Sequence, residues 1–429
     1  RYGADAWENT GLYHLDQQAG APPDDFTDRG QNWGFPTYNW EKMADNGFAW
    51  WHSRFLQMSN YFDAFRIDHI LGFFRIWSVP LDSVEGIMGR FVPALPVTRF
   101  ELLSWGTGFD YDRYCQPYIT DAVLWEMFGP NKESFLPFLE MLPSGAYALK
   151  DAFRSQQRVA AWFAGVEDTE DNRMIRHGLY DLIANVLLFE EEGSAGEKFH
   201  FRIGIEKTSS FKHLPDQYKE PLYALYIDYF FRRQDEFWKK EALKKLPALK
   251  ESTNMLICGE DLGMVPHCVP DVMKDLGILS LEIQRMPKRL GQEFFRPSEA
   301  PYLSVVTAST HDMSTIRSWW EEDRNRTQHF YQQELGQTGE APYFCEAWIN
   351  KAIVLQHLYS PAMWSIFQLQ DLLGMNAELR RENPHEERIN VPANPKHYWR
   401  YRMHLLLEDL IKEKEFNSSL KSYVESAGR

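Results

Sequence analysis

The amino-acid sequence predicts an α/β fold in which parallel strands alternate with helices and form a barrel of the (β/α)8 type. Short apolar runs with the length of buried strands recur along the chain, and the first follows an amphipathic helix pattern. Ionisable residues stand at the ends of three of these four runs, where a parallel barrel collects its catalytic groups. A chain of 429 residues can hold one such barrel with an insertion.

The first predicted helix and strand follow Trp40. Large apolar residues alternate there in steps of three and four, which predicts one stripe of an amphipathic helix made by Phe48, Trp51, Phe55, Met58 and Phe62. The next segment, Asp63 to Asp68, is short and apolar and is followed by a break at Gly72. We therefore expect a buried strand there.

Three later segments repeat this pattern of a short apolar run. They are Asn254 to Gly259, Gly277 to Ile283 and Tyr302 to Ala308. The first is followed by Glu260 and the last by His311 and Asp312. Because parallel strands deliver their last residues to one face, these side chains and Asp68 are expected to meet.

The middle of the chain has a different pattern. Residues 112–249 contain helical stretches, such as 172–191 and 232–249, with no clear repeated strand. The sequence thus predicts a helical insertion over 112–249 between barrel parts at 1–111 and 250–429. The charged run from Lys239 to Lys245 is interpreted as a solvated helix face.

Composition excludes several classes of protein. The formal net charge of −15 and the lack of a long basic block argue against nucleic acid as a partner. No apolar run reaches the roughly 18 to 20 residues that cross a bilayer, so no membrane partner is expected. Four cysteines without a CxxC pair favour a reducing, cytoplasmic compartment. The aromatic content of 15% indicates a large core or surfaces that stack on sugars.

The acids at the strand ends provide the equipment for cleaving a glycosidic bond with retention. That reaction needs a carboxylate nucleophile and a carboxylic acid about 5 Å apart. The candidates are Asp68, Glu260 and Asp312. Arg66 shares a strand face with Asp68 and is expected to orient that carboxylate, while a neighbouring carboxylate is expected to raise the pKa of Glu260.

Three alternatives remain open at this point. Each acid can be purely structural, as a helix cap or salt-bridge partner, and Asp261 fits that role by accepting N–H bonds in its turn. Asp68 and Asp312 can join His69 and His311 in a metal-dependent hydrolase, although HxH and HExxH motifs are absent. A glucan-binding module without catalysis is the third reading.

Several ordered motifs resemble one family, the 4-alpha-glucanotransferases or amylomaltases. The matching stretches are Ala21–Phe26, Gly30–Tyr38, Phe65–His69, Gly259–Gly263 and Ser309–Asp312. A weaker match runs through Arg388–Pro392 and Trp399–Arg402. The resemblance implies a TIM-type barrel, covers residues 1–110 and 250–410, and leaves the helical block between them unexplained.

The resemblance also implies roles for individual residues. Asp68 is the nucleophile, Glu260 the general acid and base, and Asp312 the stabiliser of the transition state, and no metal or other cofactor is expected. The residues expected to contact the sugar are Arg66, His69, His311 and, in a loop that excludes water, Gln31, Trp33 and Phe35.

Finer features resemble the maltose-using branch of this family, typified by a plant cytosolic enzyme. They are the helical block, Phe35, and the segment Met313 to Thr315. This branch implies transfer from maltose or malto-oligosaccharides to a glycogen-like glucan, with hydrolysis as the competing activity. The opening segment, Arg1 to Trp7, resembles one that follows the third barrel strand, so we expect a piece of a longer polypeptide without its first strands. The sequence predicts no oligomeric state.

Overall fold

The computed structural model describes residues 4–24, 27–289, 291–392, 394 and 397–429. Asp25 and Phe26, which end one of the motifs quoted above, lie outside the described residues. The described residues fall into two compact units. The first unit draws on residues 1–60, 71–253 and 266–268, and the second on residues 61–70, 254–265 and 269–429.

The strands of the described residues are short. In chain order they are β1 (Tyr13–His14), β2 (Gln17–Ala21), β3 (Gln31–Asn32), β4 (Thr37–Tyr38), β5 (Ala64–Ile67), β6 (Ile76–Pro80), β7 (Arg90–Val92), β8 (Val97–Thr98), β9 (Leu139–Met141), β10 (Tyr147–Leu149), β11 (Leu188–Glu190), β12 (Lys198–Phe201), β13 (Leu256–Gly259), β14 (Ser280–Ile283), β15 (Ser304–Thr307) and β16 (Trp364–Ser365).

The α-helices lie between and around these strands. In chain order they are α1 (Ala4–Glu8), α2 (Trp40–Ala44), α3 (Ala49–Met58), α4 (Arg99–Ser104), α5 (Tyr111–Cys115), α6 (Asp121–Phe128), α7 (Gln156–Phe163), α8 (Glu170–Ile183), α9 (Ser209–Lys212), α10 (Asp216–Phe231), α11 (Asp235–Leu243), α12 (Leu246–Glu251), α13 (Cys268–Asp275), α14 (Ile316–Trp320), α15 (Arg324–Gln333), α16 (Ala347–Leu358), α17 (Leu369–Leu373), α18 (Leu407–Leu410) and α19 (Lys414–Ser426).

The second unit contains a parallel array of strands in the order β5, β13, β14, β15 and β16. The strands β5 and β13 pair in parallel, as do β14 with β15 and β15 with β16. A parallel bridge from Cys258 to Leu279 continues the array from β13 to β14. All four predicted strands are therefore confirmed, with bounds shorter by one to three residues at the first end and by at most one residue at the last. The predicted burial of β5 is wrong in part, because Ile67 is buried but Arg66 is exposed.

The prediction of a barrel is corrected in one respect. Across the described residues the parallel strands form an open array and not a closed barrel. A barrel closes only when its first and last strands also pair, and β5 and β16 have no such pairing within the part of the chain described here.

Residue types explain why β15 lies in the middle of this array. All four of its residues are buried, and two of them are β-branched valines that pack well on a pleated surface. Val305 packs with the apolar residues of β14, whereas Val306 packs on the opposite face with Ala300 and Ala362. Burial of both faces is typical of parallel sheets, and each valine contributes roughly 1.5 to 3 kcal/mol by leaving water.

The helix predicted before β5 ends earlier than expected. Trp51 and Phe55 are buried on one face of α3, as the stripe predicted. The helix stops at Met58, however, so Phe62 lies beyond it and is 57% exposed. The prediction is therefore wrong for Phe62, which lies after the turn that follows α3 and before β5.

The first unit contains antiparallel sheets and most of the helices of segment 112–249. One sheet has the order β3, β2, β6 and β7, and another has the order β11, β12 and β8. The predicted helix over 172–191 is α8, which ends at Ile183 and is followed by β11. The predicted helix over 232–249 divides into α11 and α12.

The charged run from Lys239 to Lys245 is not fully solvated, contrary to the sequence interpretation. Lys245 is buried, and its ammonium group donates a 2.7 Å hydrogen bond to the carbonyl oxygen of Phe73. Burial lowers the pKa of Lys245 to about 8. A lysine that lies between two helices, as Lys245 does between α11 and α12, can point inward even within a charged run.

Candidate active site

The ends of β5 and β13 bring Asp68 and Glu260 next to each other. In the parallel register of these strands, Ile67 pairs with Gly259, and each acid is the residue that follows. Neighbouring strands lie about 4.8 Å apart, so the two backbones run side by side at this point. The sequence separates the two acids by almost two hundred residues, and the fold places them at one strand edge.

Glu260 is tied to the last residue of β5 and to the segment that follows β5 by three hydrogen bonds. Its backbone N–H donates to the carbonyl oxygen of Ile67 at 2.9 Å, and its own carbonyl oxygen accepts from the N–H of Ile70 at 3.0 Å. The N–H of His69 donates to the Glu260 carboxylate at 2.8 Å. His69 adopts a left-handed φ of 50°, which a non-glycine residue holds at a cost of about 1 kcal/mol or more.

Arg66 and Asp68 form an ion pair on one face of the chain. The guanidinium group donates to Asp68 Oδ1 at 2.6 Å, which is the geometry that the two-residue spacing on a strand predicts. The Asp68 side chain is nevertheless 84% exposed. The carboxylate is thus held by one oxygen and is open to an approaching molecule.

Burial raises the pKa of Glu260 to about 7. The positive charge of Arg66 and the N–H of His69 oppose this shift, and the charges of Asp68 and Asp261 add to it. The sequence predicted the direction of the shift but named a neighbouring carboxylate as the cause. Desolvation is the larger cause, and the carboxylates are secondary.

Asp261 is held by the next strand and not by its own turn, as the sequence had suggested. The N–H of Leu281, in β14, donates to Asp261 Oδ1 at 3.0 Å. Lys288 donates to Asp261 Oδ2 at 2.7 Å and to Glu282 at 2.9 Å. Burial raises the pKa of Asp261 to about 6, against the effect of Lys288. Lys288 is a residue that the sequence analysis missed.

Asp312 lies in the loop after β15 and has two polar neighbours. His311 Nε2 lies 3.2 Å from one carboxylate oxygen, and Asn390 donates to the other at 2.6 Å. The imidazole of His311 also contacts the ring of Trp399, with centroids 5.4 Å apart. Asn390 and Trp399 lie within the segments Arg388–Pro392 and Trp399–Arg402, whose resemblance to the family assigns no role to either residue.

Two histidines were considered as metal ligands together with Asp68 and Asp312. Within the described ranges, no group of three or more histidine, cysteine, aspartate or glutamate side chains is arranged to hold a metal ion. His69 contributes its backbone N–H to Glu260, and His311 approaches Asp312.

The predicted sugar-contacting loop lies in the first unit. Trp33 donates from its indole N–H to the side chain of Gln31 at 3.0 Å. The rings of Trp33 and Phe35 stack with centroids 5.7 Å apart. Two backbone hydrogen bonds join this loop to Ala19 of β2. The N–H of Trp33 donates to the carbonyl oxygen of Ala19, and the N–H of Ala19 donates to the carbonyl oxygen of Phe35. The loop therefore presents a supported pair of aromatic rings.

The helices of the described residues include none that is both long and apolar enough to cross a membrane.

Chemically, the strand edge of the second unit joins an exposed carboxylate, Asp68, with an acid, Glu260, whose pKa is raised to about 7. Such a pair can attack a carbon centre and protonate its leaving group.

Comparison with known proteins gives consistent results. Residues 1–408 match the family model described as 4-alpha-glucanotransferase. The chain is 43% identical to 4-alpha-glucanotransferase DPE2 of Oryza sativa subsp. japonica, over 100% of the chain and 46% of the rice protein. It is 21% identical to 4-alpha-glucanotransferase of Chlamydia pneumoniae, over 97% of the chain and 52% of that protein. The chain spans about half the length of these relatives.

A solved structure shares the fold. The amylomaltase from Streptococcus agalactiae, solved in complex with acarbose, superposes with a TM-score of 0.53 at 16% sequence identity. The match covers 99% of this chain and 55% of the amylomaltase chain. At this level of identity the likeness shows the fold alone.

Proposed function

Because this chain belongs to the 4-alpha-glucanotransferase family, we propose that it carries out the retaining transfer of glucosyl or maltosyl units between alpha-1,4-linked glucans. The observation that supports this most directly is the pairing of Asp68 and Glu260 at adjacent strand ends. One of them is exposed and the other has a pKa raised to about 7. These are the different requirements of a nucleophile and a proton donor.

The proposed reaction is a double displacement. A carboxylate oxygen of Asp68 attacks the anomeric carbon and forms an ester bond with it. The glycosidic C–O bond breaks at the same time, and the leaving sugar takes the proton of Glu260. In the second half the acceptor hydroxyl gives its proton to Glu260, and its oxygen displaces Asp68. Two inversions give net retention.

Asp312 is proposed to stabilise the positive charge that develops on the sugar ring. Its two oxygens are each held by a neighbour, His311 and Asn390, so the carboxylate does not have to reorganise when the charge appears. Arg66 is proposed to orient Asp68, and His69 to hold Glu260 through its backbone. Together these contacts give each proposed catalytic acid at least one fixed partner.

The substrates form a finer part of the proposal. Maltose or a malto-oligosaccharide is the proposed donor, and a glycogen-like branched glucan is the proposed acceptor. The stacked rings of Trp33 and Phe35, with the side chain of Gln31, are proposed to contact the glucan, because flat sugar faces pack on aromatic rings. We place this activity in the cytoplasm, which the low cysteine content favours.

The division of the chain is also part of the proposal. Segments 1–111 and 250–429 are proposed to contribute to the barrel, with 112–249 as an insertion. The parallel array of β5 and β13–β16 supports the barrel assignment for the last segment. The insertion contains α6, α7 and α8 around a shared apolar core, together with the hairpin of β9 and β10.

Hydrolysis is the competing activity, and the exposure of Asp68 favours it because water can reach an open carboxylate. The deciding experiment incubates the full-length protein with maltose and measures glucose release with and without glycogen. With glycogen as the proposed acceptor, release is expected to rise when it is present. Equal release in its absence, with glucose as the sole product and no maltotriose or longer sugar, would show that water is the acceptor and that the protein is a hydrolase.

A further inference from the structure

The loop that carries Asp312 connects β15 to α14 and comprises residues 308–315. The carboxylate of Asp312 is proposed to act through its position alone. The loop that carries it must therefore hold one conformation. Loop backbones have few bonds of their own, because their N–H and C=O groups are not part of a ladder or helix. The contacts that fix residues 308–315 are therefore informative about how Asp312 is placed.

Arg285 holds the loop at both of its ends. Its Nε donates to the carbonyl oxygen of Ala308 at 3.0 Å, and its Nη2 donates to the carbonyl oxygen of Ser314 at 2.6 Å. The side chain is buried, and its guanidinium group lies over the ring of Trp319 at 5.2 Å. Burial lowers the pKa of Arg285 to about 10, so the group remains charged at neutral pH.

Asp371, from α17, holds the same two ends with the opposite charge. Its Oδ2 accepts a hydrogen bond from the hydroxyl of Ser309, and its Oδ1 accepts one from the N–H of Ile316 at 2.8 Å. Asp371 is buried. The amide of Asn350 donates to its backbone carbonyl oxygen, which fixes the residue itself.

Arg285 and Asp371 therefore hold both ends of the loop, and we call these two side chains the clasp. Arg285 donates to the two carbonyl oxygens, and Asp371 accepts from the hydroxyl and from the N–H. Each end of the loop thus contacts one donor and one acceptor. The planar fork of an arginine suits two carbonyl groups that lie apart, which a lysine with one ammonium group cannot reproduce. Asp312 lies between these two ends of the loop, after Ser309 and before Ser314.

We propose that Arg285 and Asp371 are positioning residues that set the place of Asp312 in the reactive site. This inference rests on the proposed function, because it assigns Asp312 a role in the transition state. A misplacement of about 1 Å at a reacting group can lower a rate by about 10²-fold. A loosened loop would therefore reduce kcat without a large change in KM.

The first test compares Arg285→Lys with a matched control, Arg202→Lys. Arg202 is a half-buried arginine, and it donates to the carbonyl oxygens of Ala184, Ile203 and Gly204 in the first unit. Burial lowers the pKa of Arg202 to about 10 as well. Both substitutions thus remove a forked arginine from main-chain carbonyls.

The expected result is a kcat lowered about 10- to 100-fold in Arg285→Lys, with KM changed less than about threefold. Arg202→Lys is expected to keep kcat within about twofold. A kcat that is unchanged in Arg285→Lys, or lowered equally in both variants, would overturn the inference. A milder variant, Ser309→Ala, removes only one hydroxyl bond to Asp371 and is expected to lower kcat about 3- to 10-fold if Arg285→Lys does not fold.

A double-mutant cycle with Asp312→Ala separates the inference from the proposed function. If the clasp acts through Asp312, adding Arg285→Lys to Asp312→Ala lowers kcat by less than about twofold further. A further loss as large as in the wild-type background would overturn the inference. Full activity of Asp312→Ala would instead contradict the proposed role of Asp312. Low activity of Asp312→Ala with normal activity of Arg285→Lys would leave that role intact and overturn the clasp alone.

Discussion

The backbone N–H of His69 donates a 2.8 Å hydrogen bond to the side-chain carboxylate of Glu260. The residue that precedes His69 in the chain is Asp68, so the segment that presents the exposed carboxylate also holds the buried acid. The two groups proposed as nucleophile and proton donor are therefore coupled by the backbone. A shift of one requires a shift of the other, which favours a fixed separation between them.

Glu260 leads to a prediction about the pH dependence of activity. The acid must carry its proton to assist departure of the leaving sugar, and its pKa is raised to about 7. We expect kcat/KM to fall as pH rises through about 7. Asp261→Asn removes a negative charge that raises the pKa of Glu260, so the fall in kcat/KM should occur at lower pH in this variant. A wild-type profile that stays flat to pH 9 would contradict the assignment of Glu260.

The same group leads to a prediction about stability. The folded pKa of Glu260 lies near 7 and above the ordinary value of 4.5, so the folded protein binds more protons than the unfolded chain between these values. Stability is therefore lost as pH rises from about 4.5 to 7, and Glu260→Gln removes this loss.

We expect Glu260→Gln to raise the free energy of unfolding by roughly 1 to 3 kcal/mol at pH 8 and by much less at pH 4.5. Urea denaturation at both pH values provides the measurement. Glu8→Gln, at an exposed position in α1, is the control and should change stability by less than about 0.5 kcal/mol. A Glu260→Gln effect of equal size at both pH values would refute this account of its burial.

Asn390→Ala is expected to lower kcat about 10-fold. It removes the donor that holds one oxygen of Asp312 at 2.6 Å, and a neutral hydrogen bond to a charged group contributes about 1.5 to 3 kcal/mol. KM should change little, because Asp312 acts in the transition state. Asn417→Ala, which removes an exposed bond to Leu410, is the control. Steady-state kinetics that show the same kcat in all three proteins would rule out this role.

Lys288→Met is expected to destabilise the protein by about 3 kcal/mol at neutral pH, because it leaves Asp261 and Glu282 buried without a counter-charge. The pKa of Asp261 is raised to about 6, so this carboxyl group takes up a proton below that pH and the loss should be smaller there. The control is Lys412→Met, which removes an exposed ion pair with Asp409 of similar length and should cost under about 1 kcal/mol. Equal losses in both variants would argue against a buried ion cluster.

Local patterns were sufficient to predict the parallel strands and the acids at their ends. Apolar runs of six or seven residues predicted β5, β13, β14 and β15, because strands of a parallel sheet have a largely apolar composition. The face shared by Arg66 and Asp68 followed from the two-residue period of a strand. Both inferences depend only on residues that are close in sequence.

Relations between distant segments could not be predicted in this way. The contact of Asn390 with Asp312 and the place of Lys288 between two acids depend on how loops fold back. Burial as the main cause of the pKa shift of Glu260 also depends on the packing of distant residues. The end of α3 before Phe62 was missed because a turn continued the apolar pattern by chance.

The central claim is that Asp68 forms the covalent bond to the transferred sugar while Glu260 supplies the proton. Incubation of the full-length protein with 5-fluoro-α-glucosyl fluoride, which slows release of the intermediate, followed by proteolysis and mass spectrometry, tests it most directly. We predict a glycosyl adduct on Asp68 that is absent from Asp68→Asn. An adduct on any other carboxylate, such as Asp312, would contradict the account.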